Sequence, residues 1–483
     1  NIIRYKVVSK NNIMQIDLQP PMLLTKAIQN GNILDIKHEG NAHFIKLIKE
    51  QEINKIDSLV VYFEGMPPTA KTPPWDAGFT WAKDEKENNF IATSCQFAGA
   101  SVWWPNKDHL YDEPDNGIIE RFTVTEGLTA VGNGRLLKVI PDSLKKTKTF
   151  VWQVVNPINN YNVNLNIGNY AHFSEIYKGE NGDLTCDYFV LKENLDKAKK
   201  QFKEVKKTLE AFEYWFGPYP FYEDGYKLVE VPYLGMEHQS SVAYGNGYKN
   251  GYLGGDLSKT GWGLKFDFII VHETGHEWFG NNITNKDIAD MWIHESFTNY
   301  SEGLFLDYHF GTKAANEYVI GIRNIVKNDI PIIGHYDVNN EGSGDMYFKG
   351  NNMLHTIRQL VQDDEKWRTI LRGLNKEFRH QTVTTKQIEN YLIETTKIDL
   401  STVFAQYLRT TLIPTLEYKL ENGKIWYRYA NTVPNFKMAV KVYLNEKLIW
   451  IQPTHDWKKL KSKEKNTSFH IDPNFYVHLK KVD

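Results

Sequence analysis

Cysteine is nearly missing from this chain: its 483 residues include only Cys95 and Cys186. Two thiols exclude a disulfide framework and any four-cysteine zinc knuckle, leaving one Cys95–Cys186 bridge as the only disulfide open to it. An excess of charge of either sign is missing too. Lys and Arg number 57 against 59 Asp and Glu, a net charge of −2, so no broad field recruits nucleic acid or anionic lipid. Nor is there a long apolar run. The longest lies near Phe266–Val271, far short of the ~20 residues of a membrane span. No charged-then-apolar leader follows Asn1, as expected where a leader was removed or never present. What remains is 41% hydrophobic, 24% charged and 13% aromatic. That is the profile of a folded, soluble protein long enough for about three domains, its compartment, cytoplasmic or periplasmic, left open.

The hydrophobic period changes along the chain. Residues 1–190 read as β structure, a sandwich or saddle of short strands. Asn1–Ser9, Met14–Leu18, Ser58–Glu64, Phe150–Val155 and Leu184–Leu191 alternate or cluster apolar residues. Turn chemistry separates them at Gln29–Asn32, Pro67-Pro68, Pro73-Pro74, Gly132–Gly134 and Glu180–Asp183. Leu195, Ala198, Phe202, Val205, Leu209 and Phe212 then recur at helical steps, which predicts one amphipathic helix stopped by Gly217-Pro218. Lys227–Val231 reads as a buried strand, Gly245–Gly263 as a glycine-rich loop, and Phe266 to about Thr410 as a run of helices. After Pro414, Leu416–Leu420, Ile425–Tyr429, Ala439–Leu444, Leu448–Ile451 and Phe475–Leu479 read as strands again, with Lys458–Lys465 a solvated loop. No internal repeat is visible. The expectation is a multidomain α+β chain: a β domain over 1–190, a mostly helical domain over 191–412 and a small β module over 413–483.

One motif carries chemistry. In His272-Glu273-Thr274-Gly275-His276, helical spacing puts both imidazoles on one face, where they can share a tetrahedral metal ion. Glu273 falls about 100° around the helix, within reach of a water on that metal without being a ligand. The bland reading is two surface histidines with a coincidental glutamate. The apolar lead-in Phe266–Val271 argues against it, because it buries the helix. Gly275 costs roughly 1 kcal/mol in a helix interior, a sign of close packing there, and Gly280 supplies a stop. A catalytic zinc takes three protein ligands. Glu295 lies 295 − 276 = 19 positions beyond His276, enough for a turn, a loop and a second helix anchored by Trp292 and Phe297. Asp287, Asp290 and His294 compete for the role. Glu302, two turns beyond Glu295, is either a carboxylate that orients a histidine or a surface charge.

A His-Glu-x-x-His motif with a distant Glu, set in Glu277-Trp278-Phe279-Gly280-Asn281 and Trp292-Ile293-His294-Glu295, resembles the M1 family of zinc aminopeptidases, the gluzincins. Gly235-Met236-Glu237-His238 resembles the family's Gly-x-Met-Glu-Asn exopeptidase signature. Asp345-Met346-Tyr347-Phe348-Lys349-Gly350 resembles its Tyr-x-Lys-Gly element. Cys95-Gln96 resembles the segment that carries an amine-binding Gln or Glu. The likeness runs from about Ser94 to Arg409. It implies a thermolysin-like catalytic domain with one Zn2+ on His272, His276 and Glu295, and Glu273 as general base. It further implies Tyr347 as oxyanion donor, and Glu237 with Gln96 holding the free N-terminus of a peptide beside Gly235 and Met236. The chain departs from the pattern at Leu234, which stands for a Gly, and at His238, which puts a bulkier, titratable ring in place of Asn. Thr298 and Phe348 are milder changes. Arg409 is a candidate for a peptide carboxylate. The implied activity is removal of N-terminal residues from peptides. The rivals are a zinc endopeptidase and a catalytically silent peptide-binding scaffold. Preferred residue, oligomeric state and compartment are not legible at this level, nor is whether the native chain extends before Asn1, where Asn1–Ser9 resembles an interior strand of the family's N-terminal domain.

Overall fold

Alternating apolar residues close into strands wherever one face can be buried. Along Ile56–Glu64, Leu59 and Val61 point inward, with exposures of 0% and 1%. The computed structural model describes residues 1–421, 423–461 and 468–483. The chain forms two units, one of Asn1–Tyr177, Leu184–Ala198 and Phe221–Gly245, the other of Lys178–Asp183, Lys199–Pro220 and Asn246–Asp483.

The first unit is built of sheets. Antiparallel strands Ile2–Lys6, Ile56–Glu64, Leu23–Gln29 and Asn32–Leu34 lie side by side in that order. The last two join through Asn30 and Gly31, both at positive φ, as a two-residue hairpin turn requires. Their inner faces pack Leu24, Leu59 and Val61 into one core with Ile16 and Ile45 of a separate three-stranded sheet, Ile13–Asp17, Ala42–Lys46 and Ile36–Glu39. A five-stranded sheet orders Tyr170–Gly179, Gly182–Leu191, Tyr226–Glu230, Val242–Tyr244 and Gly235–Met236. Tyr226–Glu230 pairs in parallel on both sides and is buried throughout, which explains its continuous apolar reading. Cys95 and Cys186 are buried free thiols, so the single open bridge is not formed.

The second unit is mostly helical. Instead of one helix, the stretch after Leu195 forms α1 (Leu195–Gln201) and α2 (Glu204–Phe216). The break falls where Gln201 Nε2 donates to Asp267 and Asn250 and the Phe202 ring packs on Tyr248. Tertiary anchors interrupt the helical period there. α2 ends at Gly217, at φ 92°. There follow α3 (Phe268–Gly275), α4 (Trp292–Phe310), α5 (Thr312–Gly321), α6 (Phe348–Val361), α7 (Asp364–Glu377), α8 (Thr385–Thr396) and α9 (Ser401–Arg409). α4 is the axis of this unit, packing against α2, α3, α5 and α6 and buried from Trp292 to Leu306. The C-terminal strands form two small sheets, Lys458–Lys461, Lys424–Ala430, Thr415–Glu421 and His478–Lys481 in one, Lys447–Ile451, Val440–Leu444 and Phe469–Ile471 in the other. Two expectations change here. Lys458–Lys461 is a strand paired with Lys424–Tyr427, its exposed lysines alternating with the pleat, while 462–465 lies outside the described residues. The final strand starts at His478, because Phe475 to Val477 are taken up by turns. Among the described residues no helix is long and apolar enough to cross a membrane.

Candidate metal centre

α3 starts on a cap and ends on the motif. Asp267 accepts the Ile270 N–H, and its other oxygen is held by Gln201. The helix ends at Gly275, earlier than the Gly280 stop expected, with His276 in the turn beyond. Gly275 has a steric reason. A Cβ there would stand 2.7 Å from Ser301 Oγ and 3.2 Å from Thr298 Cγ2, so α3 and α4 approach only because the side chain is missing.

That approach brings His272, His276 and Glu295 together. One ligand atom from each lies within 4.8 Å of the others, all three residues being buried. Glu295 Oε2 is 3.5 Å from His276 Nε2 and 3.7 Å from His272 Nε2. Tetrahedral ligands on zinc stand about 3.3 Å apart, from bond lengths of about 2.0–2.1 Å. Glu295 Oε2 is buried without a hydrogen-bond partner among the described residues. The donor set and spacing therefore fit a zinc ion. Each ring has its far nitrogen engaged: His272 Nδ1 donates to Glu302 Oε1 at 2.8 Å, and His276 Nδ1 to the Phe279 carbonyl at 2.9 Å. Both Nε2 atoms are thereby directed toward Glu295. Of the two readings of Glu302, the structure shows the orienting carboxylate.

Electrostatics follow the same geometry. Burial works to raise the Glu295 carboxyl, but the facing His276 and His272 outweigh it and hold it well below the usual range. Burial works to lower His272, yet Glu295 and Glu302 raise it well above an ordinary imidazole.

The competing ligand candidates are committed elsewhere. Asp287 accepts the Ala289 and Asp337 N–H groups, and Asp290 accepts from Tyr336 and Thr385. His294 is fully buried, accepts the Asn285 N–H on Nε2 and is kept neutral by burial, its pKa near 3. Glu273 is buried at 7% exposure, and its charge helps to raise the pKa of Tyr252, after burial itself. The Tyr347 ring lies 6.0 Å from that of His272, nearly parallel to it. Its companions have structural work. Lys349 Nζ donates to the Thr410 carbonyl at 2.7 Å, and Gly350 leaves room for Ser296, whose Oγ donates to the Met346 carbonyl. Arg409 pairs with Glu389 at 2.6 Å, a structural contact rather than an open cation.

In the first unit, Gln96 and Glu237 also meet. Gln96 Nε2 donates to Glu237 Oε1 at 2.6 Å, so the amide presents its N–H to the carboxylate. The Tyr161 hydroxyl donates to the same oxygen at 3.1 Å. Gly235 and Met236 form the last strand of the five-stranded sheet, opposite Tyr244 and Ala243. Reading along the chain missed three residues, Tyr161, Asn299 and Tyr318, and gave no role to Thr298, whose Oγ1 lies 3.2 Å from His276 Nδ1. Only Asn299 carried a local signal, sitting three positions before Glu302 on one helix face.

Comparison with known proteins agrees with this architecture. Residues 200–407 match the model of the Peptidase family M1 domain. The chain is 21% identical to probable aminopeptidase 1 of Sulfurisphaera tokodaii over 65% of this chain and 41% of the relative. It is 23% identical to aminopeptidase B of Rattus norvegicus over 66% and 48%. The chain thus spans less than half the length of these curated relatives. Its fold matches an M1 zinc metallopeptidase mutant of Deinococcus radiodurans, crystallised with a tyrosyl-seryl-alanine substrate, at a TM-score of 0.69. Identity there is 17%, covering 86% of this chain and 90% of that one.

Proposed function

We propose that the chain is a zinc aminopeptidase, releasing the N-terminal residue of peptides by hydrolysis. The observation that carries the reading is the convergence of His272 Nε2, His276 Nε2 and Glu295 Oε2, with both far imidazole nitrogens donating to buried acceptors. His272, His276 and Glu295 would hold one zinc ion, which when bound supplies Lewis acidity toward the scissile carbonyl and makes water acidic enough to attack near neutral pH. Glu273 takes the proton from the attacking water and returns it to the departing amine. The Tyr347 hydroxyl donates to the oxyanion as charge develops, a contribution of about 3 kcal/mol. Glu237, its carboxylate fixed by Gln96 and Tyr161, receives the α-ammonium of the substrate. Aminopeptidase names among the relatives and the peptide bound to the Deinococcus radiodurans enzyme support the substrate class.

The test is hydrolysis of aminoacyl-fluorophores with free or acetylated N-termini, before and after chelation. Activity is expected to need both the free amine and the metal. Glu273→Gln should abolish turnover with zinc still bound, and Glu237→Ala should mainly raise KM. Equal rates on acetylated substrates would instead indicate an endopeptidase, and bound zinc with no turnover a scaffold.

A further inference from the structure

We infer that Tyr318 and Asn299 set how tightly His272 holds a metal, by fixing the Glu302 carboxylate that orients it; this rests on the metal reading proposed above. Glu302 has no solvent exposure. Its Oε1 accepts from His272 Nδ1 at 2.8 Å and from Asn299 Nδ2 at 2.8 Å, and its Oε2 accepts the Tyr318 hydroxyl at 2.6 Å. Both oxygens are therefore tied, and the carboxylate cannot turn about its own axis. Asn299 is held in turn by Asn351, whose Nδ2 donates to its Oδ1 at 2.8 Å and to its carbonyl at 3.1 Å. Tyr318 is 1% exposed, its ring 5.7 Å from that of Phe266, the residue just before the α3 cap. Tyr318 and Asn351 come from α5 and α6, helices that carry none of the proposed ligands.

The physical argument concerns one proton. Nε2 of His272 can bind a metal only while its own proton is absent, and the ring's remaining proton is kept on Nδ1 by the Glu302 acceptor. A carboxylate held by three donors presents that acceptor at a fixed place, because a fully satisfied buried network is rigid. Without the Tyr318 hydroxyl, Oε2 is left buried and undonated. The carboxylate then gains by turning toward other donors, away from His272. Tyr318 is thus a positioning residue acting through Glu302, not a ligand.

The experiment is a double-mutant cycle on the full chain, read as zinc affinity by competition with a chromophoric chelator. Tyr318→Phe should raise the zinc Kd about 10-fold, as loss of such an outer partner does. In a Glu302→Gln background the same change should move Kd less than about 2-fold, because its route is already cut. Thermal melts of the metal-free proteins report folding separately. The inference is overturned if Tyr318→Phe lowers the melting temperature yet leaves Kd unmoved, or if the two single fold-changes simply multiply. Should Tyr318→Phe not accumulate as folded protein, Asn299→Ala removes another donor to the same carboxylate and repeats the cycle. Wild-type protein that takes up no zinc would overturn the metal reading and this inference together. Zinc bound by the wild type with an affinity indifferent to these changes would overturn this inference alone.

Discussion

The His238 ring has no solvent exposure, neither ring nitrogen has a hydrogen-bond partner among the described residues, and burial drives its pKa down to about 3. Its residue type suggested a titratable group beside Glu237; the structure makes it a neutral one between pH 5 and 8. A pH–rate profile over that range should keep the same acid limb in His238→Asn as in the wild type. Glu120 is the opposite case. Burial pushes its carboxyl up to about 8, against the Asn133 N–H and the Lys227 charge. A carboxyl whose folded pKa is raised stabilises the fold in its protonated form. That contribution is complete below the unfolded value of about 4.3 and is lost as pH rises toward 8. Melting temperatures measured from pH 5 to 8 should therefore fall more steeply for the wild type than for Glu120→Gln, and parallel curves would refute the assignment. Neither behaviour could be read from the chain, since both depend on which surfaces close over the group. The same holds for Tyr161 and Tyr318, ordinary aromatics until distant elements deliver them to Glu237 and Glu302.

At the level of elements, the short motif was legible because its geometry is local. His272, Glu273 and His276 need only one helical turn to acquire their relation. The glycine inside it was legible as a packing signal, and α4 is what packs there. Gly275→Ala should cost about 1–2 kcal/mol, the strain against Ser301 outweighing the gain in helix propensity. It should weaken zinc binding too, since it pushes α3 from the helix that carries Glu295. Denaturant midpoints and chelator competition on the variant check both, and unchanged values would show that α4 yields freely. Period-two and buried-run patterns likewise located Ile56–Glu64, Tyr226–Glu230 and Lys424–Ala430 to within two residues. Where reading by period failed, a tertiary contact had overridden it: at Gln201 and Phe202, whose anchors divide α1 from α2, and at Lys458–Lys461, where a partner strand absorbed a charged run.

For the molecule as a whole, metal binding should act as a stabilising ligand. Free zinc at 100 times its Kd adds about 2.7 kcal/mol to openings that break the site, equivalent to about 100-fold slower hydrogen exchange. Protection is expected to rise in α3, α4 and α5 and to return to its metal-free level on chelation. Uniform protection, or none, would count against a metal held between α3 and α4. The fold class was legible at this scale because strand and helix periods segregate along the chain. The pairing of Glu237 with Gln96, 141 positions apart, was legible only by family resemblance. X-ray absorption at the zinc edge of the loaded protein tests the central claim most directly. The account predicts two imidazole nitrogens and one carboxylate oxygen at about 2.0–2.2 Å. A thiolate sulfur at about 2.3 Å, or a shell with fewer than two imidazoles, would contradict it.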